Sequence, residues 1–556
     1  MTATGVSRDH VTSRASPAAP QVITTAALLV LCVVIGFDSD YVVLDIEQAS
    51  LRPHHGLAAV AAAGAVAWVV ADWRSRAAFG PDRMVAGGIA LATVAFLCAA
   101  WGSELGSVVH QRTFDILIVF VTAFAVVVTV RCAGSRRVLL VALGCGAVLG
   151  AAVATLAYLT GGDVGLGSRY RGTVTLLGEH DRLTRPFSHA NIAAMFFAPA
   201  AVGFLAAATM TKKRSRVLLA GVGGWLVCLV ALTASRAGLL AVGIGVAAII
   251  AATRHSVVLV SAAVTTAVVL AVAISPALRD RVIGSDRFDA HVSAPADFTL
   301  TASSTVSVEV RNDSSDVWSS VGADRVVVTA RWRNVAQDHE WLTQVWPLPS
   351  DVAAGDTSVV DVQVLPQVPD GSYVVIWDLL IDREAFFLES IGSQAVSRVE
   401  VVGSEATIPG GPVVRARSVP GRRSIWGWSL DLFAERPVFG HGPANMRFVV
   451  NDVVDSDRPV SVSHAHNIVL EPLSAWGLVG GLPFLTLLGL LGVDVVRRLR
   501  RVGLEGLVVG SAIVAVLTQG LLEWPMMFPP LAAGFAILGG LWVSAPRSQI
   551  VSGVSS

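Results

Sequence analysis

Residues 212–254 read KKRSRVLLAGVGGWLVCLVALTASRAGLLAVGIGVAAIIAATR and contain two apolar runs, at 217–234 and 237–252. A basic cluster precedes the first run and Arg254 follows the second, whereas Arg236 is the single charged residue in the short turn between them. A helix needs about 20 apolar residues to cross a lipid bilayer. The stretch therefore predicts two transmembrane helices joined by a tight turn, with the basic cluster and Arg236 on opposite sides of the membrane.

Similar apolar runs recur along the chain, in which 53% of the 556 residues are hydrophobic and only 15% are charged. Soluble proteins average about 25% charged residues. We therefore predict an α-helical polytopic membrane protein with about twelve transmembrane helices. The predicted crossings lie near 21–37, 57–73, 84–101, 113–130, 138–160, 189–210, 217–234, 237–252, 256–275, 466–493, 504–521 and 528–545.

Lysine and arginine residues predict the orientation of these helices. Basic residues precede the first crossing and follow the second, fourth, sixth, eighth and tenth, which places all of them on one side of a chain with twelve crossings. Cytoplasmic loops of membrane proteins are enriched in lysine and arginine. We therefore predict that both termini are cytoplasmic and that residues 276–465 form a large extracytoplasmic loop.

This loop is far too long to be a simple connection. Its central part alternates apolar and polar residues, as in TVSVEV (305–310) and VDVQV (360–364), with turn residues between the runs. We predict an inserted extracytoplasmic all-β sandwich, which resembles the immunoglobulin-like modules of some bacterial surface-polysaccharide enzymes, followed by a short helical segment. The predicted parts of the chain are an N-terminal membrane domain with nine crossings at 1–275, the loop at 276–465 with its sandwich at about 290–402 and helical segment at about 420–450, a C-terminal membrane segment with three crossings at 466–545, and a cytoplasmic tail at 546–556.

Composition also argues against two kinds of function. The formal net charge is zero, with 41 basic and 41 acidic residues, so we expect no nucleic-acid partner. The five cysteines lie in or beside apolar runs, without the spacing of a disulfide framework or a metal site. We expect neither a bound metal nor a cofactor.

The most informative motif is SHAHN at 463–467, which lies where the large loop re-enters the membrane and is followed by GLVG at 477–480. It resembles the His-Asn-x9-Gly-x-x-Gly signature of the O-antigen ligase and polymerase family. RPFSHAN (185–191) and TASRAG (233–238) are similar to two further segments of that family, although His189-Ala190 replaces the usual order in the first. The resemblance spans most of the chain, and the β-insert is a departure from the family pattern.

The resemblance implies a GT-C-like membrane glycosyltransferase in the plasma membrane of a bacterium. Such an O-antigen ligase-like enzyme moves a glycan from a polyprenyl-diphosphate carrier to an acceptor hydroxyl on the outer face, without metal or nucleotide sugar. The implied partners are the polyprenyl-diphosphate-linked glycan donor, a glycan, lipid or protein acceptor, and membrane lipid. A polysaccharide polymerase, whose acceptor is another carrier-linked repeat, remains the alternative within the family.

Candidate site residues follow from this chemistry. Imidazole accepts a proton near neutral pH, so His466 is the candidate general base, His464 is the second candidate, and Asn467 is expected to orient one of the reactants. Arginine binds phosphate through a planar fork of donors. The candidate diphosphate-binding residues are Arg185, Arg236, Arg171 and Arg423.

Each of these residues also has a purely structural interpretation. The histidine pair can hydrogen-bond a loop, Arg185 can extend to the membrane interface, and Arg236 can support its own turn. The arginines of loop 161–188, which include Arg171, can either attract phosphate or be solvated. Glu523, beside Trp524, is either a second carboxylate of the site or an interfacial residue, and we favour the interfacial interpretation.

A transporter and a sensor or adhesion protein are two alternative classes of function. A lipid or polysaccharide transporter often has charged residues at mid-membrane and internal repeats, whereas these apolar runs contain almost no charges and show no clear repeat. A sensor or adhesion protein would need far fewer helices as an anchor. Charges that cluster at the outer ends of helices favour an interfacial enzyme.

Overall fold

The computed structural model describes most, but not all, of the chain. The described residues are 19–36, 44–46, 49–51, 53–71, 89, 93–97, 106–159, 183, 186–187, 190–253, 257–274, 289–301, 304–322, 325–334, 339–364, 368, 370–381, 385–386, 395–403, 422–443, 445–446, 449–450 and 464–545. Arg171 and Arg185 lie outside the described residues, as do the predicted tail at 546–556 and most of the predicted crossing at 84–101.

Most of the described chain is helical, in agreement with the apolar runs of the sequence. The helices are α1 (Ala19–Val34), α2 (Pro53–Ala71), α3 (Gly106–Ala133), α4 (Arg136–Leu159), α5 (Ala190–Thr209), α6 (Lys213–Leu232), α7 (Arg236–Thr253), α8 (Val257–Ile274), α9 (Arg422–Glu435), α10 (Leu470–Arg498), α11 (Leu504–Gly520) and α12 (Pro529–Val543). Among the described residues, seven helices are long and apolar enough to cross a membrane: α2 to α7 and α10. The chain is therefore a polytopic membrane protein, and the number of twelve crossings stays a prediction.

Helix α5 is the most buried of the candidate spans and packs against α6, α7 and α11. Its neighbours approach it closely through glycine. A Cβ added to Gly245 of α7 would lie 2.6 Å from a methyl group of Val202, and one added to Gly223 of α6 would lie 2.8 Å from Leu205. Small residues allow such close helix contacts in membranes. This packing holds α5 in place, and Asn191 lies in the first turn of that helix.

Basic residues gather at one end of the helical bundle. Arg136 at the start of α4 lies 3.7 Å from the carboxylate of Glu505 at the start of α11. Arg131 near the end of α3 donates to the carbonyl of Val543 at the end of α12 (3.4 Å). We call this the basic end. The opposite end of α11 meets the segment before α10, because the N–H of Ile468 donates to the carbonyl of Gly520 (2.7 Å).

Two short strands, β1 (Leu44–Ile46) and β2 (Ala49–Leu51), form an antiparallel pair between α1 and α2, and all other described strands belong to the large loop. These strands are β3 (Ala290–Ser293), β4 (Asp297–Leu300), β5 (Ser304–Asn312), β6 (Val326–Asn334), β7 (His339–Pro347), β8 (Thr357–Val364), β9 (Gly371–Ile381), β10 (Ala385–Phe386) and β11 (Ala395–Val401). One sheet has the order β3-β5-β8. The other has the order β4-β11-β9-β6-β7, with β10 paired to β9.

The two larger sheets share one apolar core. Burial alternates strictly along β5 and β8, as the period-two pattern of the sequence predicts. Val308 and Val362 of the smaller sheet belong to the same buried cluster as Trp332 and Trp377 of the larger one. The large loop therefore contains a β-rich module with its own core, and its immunoglobulin-like character stays a prediction.

Candidate functional site

The SHAHN motif forms the turn that leads into α10, and Asn467 fixes this turn at both sides. Its side-chain oxygen accepts hydrogen bonds from the N–H groups of Val469 (2.8 Å) and Leu470 (3.0 Å), which are unpaired donors at the start of a helix. Its side-chain nitrogen donates to the carbonyl of Leu521 (2.9 Å), just after α11. Asn467 therefore attaches the motif to the loop between α11 and α12.

His466 occupies a strained position in this turn. Its φ is +49°, in the left-handed region that residues other than glycine seldom adopt. Its side chain is 30% exposed, and its Nδ1 lies 2.8 Å from Oε2 of Glu523. An ionised carboxylate is only an acceptor, so in the neutral imidazole Nδ1–H donates to it and Nε2 carries the lone pair. The turn thus holds an imidazole with one nitrogen bound to a carboxylate and the other available as a base.

Glu523 is buried, with 3% of its side chain exposed, and it contacts His466, which the interfacial interpretation of the sequence does not predict. Its Oε1 accepts a hydrogen bond from the amide of Asn191 (2.9 Å) and one from the guanidinium of Arg422. Arg422 also donates through Nε to the carbonyl of Leu522 (2.8 Å). A buried carboxylate is costly unless it is paired and hydrogen-bonded. Both oxygens of Glu523 meet this requirement, and three separated segments of the chain, those of Asn191, Arg422 and His466, converge on it.

His464, the second candidate base, lies beside His466. The two ring centroids are 3.9 Å apart, and His464 is buried. Between them, the N–H of Ala465 donates to Oε2 of Glu471 (2.6 Å), a buried carboxylate in the first turn of α10. Glu471 therefore ties the histidine turn to the helix that follows it.

Gly477, the first glycine of the GLVG segment, interrupts α10 with φ +58° and ψ −161°. The chain after α9 lies against this kink. The N–H of Leu478 donates to the carbonyl of Pro437 (2.8 Å). The N–H of Val479 donates to the carbonyl of Val438 (3.0 Å). A Cβ on Gly477 would lie 2.4 Å from the same Val438 oxygen, so the position requires glycine both for its φ and for space.

The arginines predicted to bind the diphosphate do not contact His466 or Glu523 among the described residues. Arg423 is exposed, and it is its neighbour Arg422 that reaches Glu523. Arg236 begins α7 and is exposed, and among the described residues no hydrogen bond or ion pair joins it to His466 or Glu523. The N–H of Leu183 donates to the carbonyl at the end of α6 (2.9 Å), so the chain just before Arg185 lies beside the turn of Arg236.

Three residues of this site carry side-chain atoms that can bind a metal ion, namely imidazole nitrogens and a carboxylate oxygen. The nearest ligand atoms of His464, His466 and Glu523 all lie within 4.8 Å of one another. However, the oxygens of Glu523 already accept hydrogen bonds from Arg422, Asn191 and His466. A metal cation would have to approach a guanidinium and displace these donors, so the donor set fits a carboxylate-oriented histidine better than a metal site.

Sequence reasoning missed Arg422, Glu471 and Asn191 as members of this cluster and assigned Glu523 a different role. The sequence did contain a signal for Glu471 and Glu523. Acidic residues beside apolar runs are energetically costly in a membrane and are commonly paired, so both positions could have been recognised as candidates. What the sequence lacked was the distance between segments that are 57 to 332 residues apart in the chain.

Comparison with known proteins adds a family match for one part of the chain. Residues 385–485 match the family model described as O-Antigen ligase, a segment that contains α9, the SHAHN motif and the first half of α10. No curated protein matches the chain. The resemblance to the O-antigen ligase and polymerase family is confirmed. Members of this family are membrane glycosyltransferase-like enzymes with glycan and lipid-linked substrates.

Proposed function

We propose that this chain transfers a glycan from a polyprenyl-diphosphate carrier to an acceptor hydroxyl, with His466 as the general base. The observation that carries the proposal is the contact of 2.8 Å between Nδ1 of His466 and the buried carboxylate of Glu523. His466 belongs to the segment that matches the O-Antigen ligase family model, and Glu523 lies in the loop between α11 and α12.

The proposed step is a single displacement at the anomeric carbon. Nε2 of His466 takes the proton of the acceptor hydroxyl while the hydroxyl oxygen forms its bond to that carbon. The bond from the carbon to the phosphate oxygen breaks, and its electron pair leaves with the polyprenyl diphosphate. Glu523 stabilises the imidazolium that forms, in the way that the aspartate of a Ser-His-Asp triad orients and supports the catalytic histidine. Attack from the opposite face inverts the configuration at the sugar carbon.

The leaving diphosphate needs positive partners at the same end of the bundle. Arg236 is exposed at the start of α7 and is our first candidate for this role. Arg185 and Arg171 remain candidates from the sequence, as does Arg423. Arg422 has a different role in this proposal, because it holds Glu523. Arginine keeps its charge at a membrane boundary and stabilises charge that develops on phosphate oxygens.

The proposal also includes the orientation of the helical bundle in the membrane. The basic end of the bundle, with Arg131 and Arg136, faces the cytoplasm by the enrichment of basic residues in cytoplasmic loops. The end with His466 and the β-rich module then face outward in a bacterial plasma membrane, where a polyprenyl-linked glycan meets its acceptor. The separation of Arg136 from His466 at opposite ends of α11 supports this assignment.

The β-rich module is proposed to recognise the acceptor or the growing glycan. A separate recognition module suits a ligase, whose acceptor differs from its donor. A polysaccharide polymerase would use the same histidine with a second carrier-linked repeat as acceptor, and the family match covers both kinds of reaction.

The proposal is tested in cells in which the native chain is replaced by variants at the histidine pair. His466→Ala is expected to abolish transfer and to cause the carrier-linked glycan to accumulate, while His464→Ala retains transfer. Immunoblots of isolated membranes verify that each variant is present at the native level. Normal transfer in His466→Ala, with no accumulated intermediate, would refute the role of His466.

A further inference from the structure

A long groove runs between α4, α5, α11 and α12 and has a volume of about 1360 Å³. Its walls are apolar along most of their length, for example at Phe204 of α5 and Leu538 of α12. Two lining side chains of α4, Val141 and Leu149, are 58% and 47% exposed. The groove is therefore open to the outside of the bundle, where a transmembrane protein meets lipid chains rather than water.

Charged residues line the groove only at its basic end. We call this group the arginine mouth, and it consists of Arg136, Arg137, Arg498 and Arg501, with Glu505 as the accompanying carboxylate. Arg498 pairs with Asp494 of its own helix. Arg136 approaches Glu505 only to 3.7 Å. Four guanidinium groups are thus matched by two carboxylates.

Arg136 is the least satisfied member of the arginine mouth. Only 12% of its side chain is exposed. Its Nε and one terminal nitrogen are buried and have no hydrogen-bond partner among the described residues. Buried donors of a charged group cost free energy when they lack an acceptor. The position calls for an anionic group with several acceptor oxygens, which the described protein residues do not supply.

Two helix starts add to the positive potential of the arginine mouth. Helix α4 begins at Arg136 and α11 begins at Leu504, and the contact between Arg136 and Glu505 holds these starts together. The first N–H groups of a helix have no partner within the helix and carry a partial positive charge. Phosphate is a common ligand at such helix starts.

We propose that the groove binds an anionic glycerophospholipid, with its phosphate at the arginine mouth and its acyl chains along the apolar walls. Basic pockets between transmembrane helices are a known type of site for anionic headgroups. The opposite end of the groove is lined by Pro525 and Pro530, close to Glu523 in the chain. A polyprenyl donor bound there would leave the arginine mouth without an anion, so charge complementarity favours the phospholipid. The lipid proposal does not depend on the proposed glycan transfer.

The test uses the purified full-length chain in nanodiscs of phosphatidylcholine with or without phosphatidylglycerol. Thermal unfolding is followed by tryptophan fluorescence, and bound lipid is identified by native mass spectrometry. Phosphatidylglycerol is expected to raise Tm and to remain as a bound adduct, because a ligand that binds only the folded state stabilises it. The double variant Arg136→Gln/Arg501→Gln is expected to lose both effects, whereas Arg497→Gln, which removes an exposed arginine of α10 outside the groove, retains them.

A second variant tests the acyl part of the site without altering charge. Gly144→Leu adds a side chain to the groove wall, and a Cβ at Gly144 meets only Phe204 at an ordinary distance of 3.5 Å. It is expected to lose the bound adduct while Tm in pure phosphatidylcholine stays unchanged. Equal Tm shifts in all variants would show general attraction of anionic lipid to a basic surface and overturn the proposal. Displacement of phosphatidylglycerol by a polyprenyl phosphate, with no effect of the arginine variants, would assign the groove to the donor and also overturn it.

Discussion

Replacing Glu523 by glutamine tests how the carboxylate controls His466. In the native site, Oε1 of Glu523 accepts from Asn191 and Arg422, and Oε2 lies 2.8 Å from Nδ1 of His466. In Glu523→Gln the single amide oxygen is held by those two donors, so the amide nitrogen faces His466. Two N–H groups cannot form a hydrogen bond with each other, and the imidazole proton therefore moves to Nε2. The lone pair that accepts the hydroxyl proton is then lost.

The size of the effect follows from the role assigned to the imidazole. General base catalysis contributes about 10²- to 10⁴-fold to a rate. We expect kcat of Glu523→Gln to fall by that factor, which corresponds to about 3–5 kcal/mol of activation free energy. The KM for the donor should change little, because Glu523 is assigned to the histidine and not to the diphosphate.

The measurement is glycan transfer by the purified protein in liposomes that contain a carrier-linked donor and an acceptor. Glu435→Gln, which removes an exposed carboxylate at the end of α9, is the matched control and should retain the native rate. Glu523→Asp should lose less than Glu523→Gln, because it preserves the acceptor charge at a greater distance. A native kcat in Glu523→Gln would refute the assignment of Glu523 as the positioning residue.

Three further predictions concern positions around the site and the β-rich module. Gly477→Ala should lower the free energy of unfolding by about 1–3 kcal/mol from backbone strain alone, and Tm with it, because the residue has φ +58° and lacks room for a Cβ; an unchanged Tm would contradict the packing argument. Glu471→Gln should reduce kcat about tenfold, because it alters the hydrogen bond from the N–H of Ala465 that fixes the histidine turn; a native kcat would show that the turn holds without it. Hydrogen bonds from Ser320 lower the pKa of Asp351 in the module, so this stabilisation is present above the unfolded pKa of about 3.9 and is lost as pH falls through the folded value. Unfolding of Asp351→Asn at pH 7 and pH 3 should show a smaller loss of stability on acidification than the native chain, and an equal loss would refute this linkage.

Hydropathy predicts the helices well because each crossing is a local property of the sequence. The runs at 217–234 and 237–252 predict α6 and α7 to within four residues at each end. The alternating segments at 305–310 and 360–364 likewise lie within β5 and β8. In each of these elements the burial requirement acts on consecutive residues, so a short stretch is sufficient to recognise it.

The partners of His466 are not a local property. Glu523 is 57 residues away in the chain, and hydrogen bonds of Ile468 and Asn467 to the end of α11 hold the two segments together. The choice between Arg422 and Arg423 depends on the rotation of α9, in which neighbouring residues point about 100° apart. The sequence analysis singled out Arg423, whereas in the structure its neighbour Arg422 faces Glu523.

His466 is proposed as the base of a glycan transfer from a polyprenyl-diphosphate donor. The most direct measurement is single-turnover transfer by the purified native chain and by His466→Ala, with donor binding measured in parallel. If His466 is the base, both proteins bind the donor with similar affinity and only the native chain forms the transferred product and free polyprenyl diphosphate. Product formation by His466→Ala at the native rate would contradict it.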